Sequence, residues 1–310
     1  MRFSASPRIG LGTGALGSKG SREDAYALLD AFVAHGGTLI DTAAVYSDWI
    51  PGERGRSETV IGEWLSLRGN RSGVQISTKG GHPPLDDLHH GRCDAASLRH
   101  DVEQSLQRLR TDHIDLYLPH RDDPSVPVAE IIGTLGEFVT EGKIGAVGVS
   151  NWDVSRLAQA RMLADGPVAN QLLGNILCLK MPAPKDDTLR VLNASSFRQA
   201  ESEDLALMLF SSQCRGAFLP SKLGHVVPAD YDTDACRRAI SDIAALAREL
   251  SLDDGDLVLA FLLAVSPCIM PLIGPQSPAQ MAESMKALEL QLDAPTIERL
   301  KVISGWSAFP

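Results

Sequence analysis

The chain has 310 residues, 44 % of them hydrophobic, enough to bury one large core or two smaller ones. Its formal net charge of −10 argues against a nucleic-acid backbone or an anionic membrane as the main partner, while leaving room for a local basic site. Residues 1–7 lack a signal-like apolar stretch, the longest apolar run (257–265) is too short to span a bilayer, and five scattered cysteines (Cys93, Cys178, Cys214, Cys236, Cys268) read as free thiols of a cytosolic protein.

In chain order, short β-type runs fall at 8–11, 38–41, 74–79, 114–119, 144–149, 168–171, 205–210 and 269–273. Apolar residues recur at helical spacing over 22–35, 57–67, 95–109, 128–141, 154–163, 234–250, 256–264, 278–288 and 295–303. Eight strands with helices between them fit a closed parallel (β/α)8 barrel, a TIM barrel, better than an antiparallel design. Over 174–204, Pro182, Pro184 and mixed polarity blur the pattern, and no helix is assigned. No flexible linker, low-complexity run or repeat interrupts the chain, so a single domain over 1–310 is expected.

Gly12-Thr13-Gly14-Ala15-Leu16-Gly17 matches GxGxxG after a strand, and Asp41 ends the next strand, as a ribose ligand does in a doubly wound dinucleotide fold. In that fold the helix opens within the glycines, so that its N-terminus meets the pyrophosphate. Here Ser18-Lys19-Gly20-Ser21 intervene, and Ser21, with Asp24 three residues on, is the natural N-cap. The run reads as a glycine-rich loop at a barrel mouth.

A (β/α)8 barrel carries its chemistry at the C-terminal strand ends. Six successive ends here deliver Asp41 with Tyr46, Lys79, His120, Ser150-Asn151, Gln171 and Phe210-Ser211. A lone Asp or His in such a place is usually a capped turn; six useful ends in register point to a site. Around them stand Leu39-Ile40-Asp41-Thr42-Ala43, Ser77-Thr78-Lys79-Gly80, Asp112-His113-Ile114-Asp115-Leu116-Tyr117, and Gly142-Lys143-Ile144 leading into Gly148-Val149-Ser150-Asn151. In order and spacing these segments resemble the aldo-keto reductase family, over roughly 9–303.

The resemblance implies NAD(P)H-dependent reduction of an aldehyde or ketone by a catalytic tetrad of Asp41, Tyr46, Lys79 and His120. Hydride transfer builds negative charge on the carbonyl oxygen, so a proton donor must stand beside it, here Tyr46. Free tyrosine titrates near ~10, and a cation held close, Lys79, is expected to lower that value. Asp41 would keep the buried Lys79 charged, and His120 would hydrogen-bond the substrate oxygen. A plain ion pair tying two strands is the bland alternative for Asp41 and Lys79.

By the same resemblance Ser150, Asn151 and Gln171 would hold the nicotinamide carboxamide. Phe210 would stack on the ring where relatives carry tyrosine or tryptophan, with Ser211 beside it. Loop capping, a satisfied barrel-mouth amide and plain core packing are the alternatives. Ser277-Pro278, with Gln280 at capping-box distance, opens a helix whose N-terminus suits an adenosine 2′-phosphate. Relatives often carry lysine at Gly274 and arginine at Gln280; with both charges missing, NADP(H) is expected and NAD(H) is the alternative. Arg215 offers a phosphate contact or a solvated side chain. Glu283 and Ser284 stand where relatives bind adenine.

The loop 47–56 carries Trp49 among polar residues, Arg121-Asp122-Asp123 follow His120, and Trp152 follows Asn151. Two tryptophans with charged neighbours suit a polar, sugar-derived carbonyl compound, unless the charges are solvated loop residues. Two rival functions remain. One is a non-catalytic, cofactor-binding regulatory subunit. The other is a metal-dependent hydrolase using His82, His89, His90 and Cys93, which share one loop and lack ligands from other strands. Against the family pattern, the hairpin before the first strand is expected to be short or absent, and the C-terminal substrate loop truncated.

Overall fold

The computed structural model describes residues 8–52, 54–218 and 227–309. The expectation for 1–7, and Glu53 within the loop 47–56, lie outside them. Among the described residues nine parallel strands form one sheet: β1 (Gly10–Gly12), β2 (Leu39–Asp41), β3 (Gln75–Gly80), β4 (Ile114–Pro119), β5 (Ile144–Val147), β6 (Val149–Ser150), β7 (Ala169–Leu173), β8 (Ala206–Phe210) and β9 (Ile269–Ile273). β4 and β9 have the bounds expected from sequence, and most others shift by one or two residues.

The sheet order is β5-β4-β3-β2-β1-β9-β8-β7-β6, with β1 pairing both β2 and β9. Its two ends, β5 and β6, are separated by Gly148 alone, so the sheet returns on itself as a barrel. The expected fifth strand is therefore broken in two. Gly148 donates its N–H to the Tyr117 carbonyl on β4 (2.9 Å), while the Val147 carbonyl accepts from Val168 on the other side (2.9 Å). A Cβ on Gly148 would lie 3.1 Å from Leu118 Cγ and 3.3 Å from the Ala169 carbonyl, so the seam closes where there is no side chain.

The helices are α1 (Arg22–Ala34), α2 (Arg56–Arg68), α3 (Ala95–Leu109), α4 (Val128–Thr140), α5 (Val154–Arg161), α6 (Ala194–Glu203), α7 (Asp234–Leu250), α8 (Asp254–Val265), α9 (Pro278–Met285) and α10 (Ala294–Ser304). α6 lies in the stretch where no helix was assigned. Asn193 caps it, accepting from the N–H groups of Ser195 and Ser196, and the Ser196 hydroxyl closes a capping box. The expected helix over 278–288 stops at Met285 and ends in one tighter turn, Lys286–Leu288.

Side chains inside the barrel form a small core: Leu39, Leu116, Leu118, Ala169, Met208, Met270 and Leu272, with Phe210 partly buried against it. Alternate residues such as Ile40, Tyr117 and Leu209 face outward into a larger core shared with the helices. At the N-terminal loop, α1 begins beyond Gly17, behind a capping box of Ser21 and Asp24. That loop instead supports β2: the N–H and the hydroxyl of Thr13 both donate to the Asp41 carbonyl at 2.9 Å. No helix among the described residues is long and apolar enough to cross a membrane.

Candidate active site

Asp41 on β2 lies in register with Ser77 on β3, and Lys79 follows two residues on, which is one side-chain period along the strand. The fully buried Lys79 Nζ donates to Asp41 Oδ2 (2.8 Å), the Thr42 carbonyl (2.7 Å) and Tyr46 Oη (3.3 Å). Asp41 Oδ1 accepts from the Ser77 hydroxyl and the Gln171 amide, both at 2.9 Å. Burial opposes the charge on Lys79, but Asp41 and Tyr46 outweigh it and hold its pKa above the ordinary lysine value. Lys79 lowers the pKa of Tyr46, as expected, but burial, the largest influence, and Asp41 raise it on balance, so the resting hydroxyl is protonated.

His120, at the end of β4, is 7 % exposed. Its ring centre stands 5.6 Å from that of Tyr46 and 4.7 Å from that of His82, both edge to face. Its Nδ1 is buried without a hydrogen-bond partner. Burial, then His82, Arg121 and Lys79, push its pKa well below the ordinary histidine value, so the ring is neutral. His82 was missed as a neighbour of His120; only its place after β3 hinted at it. Its Nδ1 lies 2.6 Å from the Pro83 carbonyl, which can only accept, so that nitrogen carries the proton. Burial lowers its pKa to about 4. The other residues of the metal reading disperse: His89 meets Asp187 at the surface (3.4 Å), and Cys93 Sγ faces the Arg121 carbonyl (3.4 Å). Among the described residues no group of three or more candidate ligands could hold a metal ion.

Ser150 on β6 lies in register with Gln171 on β7. Its hydroxyl donates to the Gln171 carbonyl (3.2 Å) and accepts from the Asn151 amide (3.0 Å). Asn151 has a left-handed backbone (φ 62°), and its Oδ1 accepts the Arg190 N–H (3.0 Å). One hydroxyl and two amides are thus buried near one another, groups of the kind a planar carboxamide pairs with. Phe210 and Ser211 (φ 56°) lead into a tight turn. There Arg215 is exposed and paired with Asp230 (2.7 Å). Gln213, not singled out from sequence, donates to Ser284 Oγ (3.0 Å) and ties this turn to α9.

At the start of α9, Ser277 Oγ accepts the Gln280 N–H (3.3 Å), while Gln280 Oε1 accepts from Gln276 (2.8 Å). Gln280 thus reaches one residue further back than the expected box. Gly274 is exposed, and a Cβ there would meet nothing within 4 Å. Glu283 is exposed and Ser284 buried. This end offers helix N–H groups to a phosphate, with Gly274 and Gln280 adding no charge.

Residues 8–304 match the model of the aldo/keto reductase family. The chain belongs to that family. It is accordingly an NAD(P)H-dependent oxidoreductase acting on carbonyl groups. "Protein tas" of Escherichia coli (strain K12) is 26 % identical to it, covering 97 % of this chain and 95 % of its own length. An aryl-alcohol dehydrogenase of Pestalotiopsis microspora is 26 % identical, over 91 % of this chain and 72 % of its own. The crystal structure of an aldo/keto reductase from Klebsiella pneumoniae in complex with NADP and acetate is similar with a TM-score of 0.73 at 25 % identity, covering 98 % of this chain and 92 % of that one.

On the substrate side of this aldo-keto reductase, Trp49 is 55 % exposed on the loop after β2. Trp152, expected to flank the substrate, is 1 % exposed and lies under the Arg156 guanidinium at 5.1 Å. The charges after His120 are engaged internally. Asp122 pairs with Arg156 (2.8 Å), Asp123 accepts from Ser125 and from the Cys93 N–H (3.2 Å), and Arg121 pairs with Asp186 (3.1 Å).

Proposed function

We propose that this aldo-keto reductase reduces an aldehyde or ketone to the alcohol, reversibly, with Asp41, Tyr46, Lys79 and His120 as its catalytic tetrad. The observation that carries the reading is the hydrogen-bonded chain Tyr46–Lys79–Asp41 with the neutral His120 ring beside it. A bound nicotinamide supplies the hydride. Tyr46 gives the proton of its Oη to the carbonyl oxygen as charge builds there, and Lys79 steadies the tyrosinate left behind. Asp41 keeps Lys79 charged, and His120 orients the carbonyl through Nε2. Ser150, Asn151 and Gln171 hold the carboxamide, while Phe210 offers an aromatic face.

For the cofactor we favour NADPH over NADH, supported by the α9 N-terminus and by the NADP in the Klebsiella pneumoniae relative. Without cations from Gly274 and Gln280, the preference is expected to be modest; Arg215, Ser211, Glu283 and Ser284 remain the candidate contacts. The substrate reading is a small polar or sugar-derived carbonyl compound meeting the loop that carries Trp49. A second reading, an aromatic carbonyl compound, is favoured by the exposed indole and by the internal pairing of Arg121, Asp122 and Asp123. The free cysteines accord with the cytosol.

Titration with NADPH and NADH, followed by kcat/KM on sugar-derived and aryl aldehydes, tests all of this. Tyr46→Phe is expected to keep cofactor affinity and to lose about 100-fold or more in kcat. A wild-type protein that binds cofactor yet turns over no carbonyl belongs with the regulatory subunits instead.

A further inference from the structure

Next to His120, Arg121 meets a part of the chain that the tetrad does not use. The segment leaving β7 swings outward and returns at Arg190–Leu192, where it rejoins the strand end. There the Leu173 N–H donates to the Arg190 carbonyl (3.0 Å) and the Leu192 N–H to the Leu173 carbonyl (2.8 Å). In between, this strap crosses the end of β4. Arg121, 8 % exposed and adjacent to His120, holds it there with three nitrogens of one planar fork. Nε donates to Thr188 Oγ1 (2.9 Å), Nη2 to Asp186 Oδ2 (3.1 Å) and Nη1 back to the His120 carbonyl (3.0 Å). Also on the strap, the exposed Asp187 meets His89 of the loop after β3 (3.4 Å), a contact of little energetic weight.

We propose that Arg121 is a positioning residue for carbonyl reduction, tying the strap to the His120 carbonyl at the end of β4 and so fixing the place of the His120 ring. The proposal rests on the tetrad reading above. The groups facing His120 are Tyr46 from the loop after β2, Lys79 and His82 from β3 and its loop, and Arg121 itself. Asp186, the acid brought to this cluster by the strap, is held by Arg121. Losing Arg121 removes one of the cations that hold the pKa of His120 down, so that pKa rises, while burial and His82 still keep it below the ordinary value. A residue that merely stabilised the fold would leave that ionisation where it is.

The test compares pH profiles of kcat/KM, carbonyl KM and NADPH affinity for wild type, Arg121→Met and Asp186→Asn. Arg121→Met is expected to lose about 10- to 100-fold in kcat/KM through misorientation. The acid limb set by His120 should move to higher pH than in the wild type. NADPH affinity should hold, because Arg190 still pairs with Leu173 and Asn151. Asp186→Asn keeps the Arg121 charge and its bonds to His120 and Thr188 but removes the counter-charge, so it should show a smaller loss in kcat/KM and move the His120 titration the other way, to lower pH. It decides the matter if Arg121→Met fails to fold. Profiles in the variants that match an active wild type overturn this inference alone. A parallel fall in activity and NADPH affinity without a shift of the acid limb also overturns it. A wild type that binds no cofactor, or reduces no carbonyl, overturns the tetrad reading and this inference together.

Discussion

Asp41 gathers Lys79, Ser77 and Gln171 on its two oxygens, so one carboxylate joins the ends of β2, β3 and β7. Its loss would leave Lys79 charged and buried with only the Thr42 carbonyl and Tyr46 as partners. Asp41→Asn is therefore expected to cost about 3 kcal/mol or more in urea unfolding, together with a large fall in kcat. Ser77→Ala removes a neutral donor and should cost only about 1 kcal/mol. Equal, small losses in the two variants would remove Asp41 from its place as counter-ion. Trp152 shows a limit of residue-level reading: it follows Asn151 in sequence, but the chain turns into α5 there and the indole enters the core. Adjacency in sequence says little about which way a side chain faces after a strand ends.

Among the elements, the seam at Gly148 and the helix α6 departed from expectation for different reasons. The fifth strand read as continuous because 144–149 alternates well, yet it must pair with β4 before Gly148 and with β7 after it. Gly148→Val would push a side chain against Leu118 and the Ala169 carbonyl. We expect a loss of about 1–3 kcal/mol in chemical denaturation. NADPH binding should weaken as well, since Ser150 and Asn151 lie just downstream. An unchanged unfolding midpoint would show that the seam can open to admit the side chain. α6 escaped notice because it buries just Ser196, Phe197, Gln199 and Ala200, leaving almost no apolar periodicity. The Asn193 and Ser196 capping pair was visible, though a cap alone does not make a helix.

Over the whole molecule, two buried neutral histidines set a pH dependence. His82 and His120 titrate lower folded than unfolded, so below about pH 6.5 the unfolded chain binds protons that the native state refuses. Stability is thus full above that pH and is lost as pH falls towards the folded values. For His82, a fall from 6.5 to about 4 corresponds to about 3 kcal/mol. Thermal unfolding should show Tm dropping between about pH 7 and 4.5, less steeply in His82→Phe; a flat Tm would mean that these rings are not held neutral.

The sequence by itself determined the alternation of strands and helices, their order, and the polar residues at six strand ends, and through them the family. Those are properties of local periodicity and of position along the chain, which any stretch displays without its neighbours. Only the tertiary structure decided how the barrel closes at Gly148, that Gln171 reaches Asp41 from 130 residues away, that His82 packs on His120, that Arg121 clamps the strap, and that burial acts against Lys79 at Tyr46. Each of these depends on distance and exclusion of water, and neither quantity is written in a local pattern.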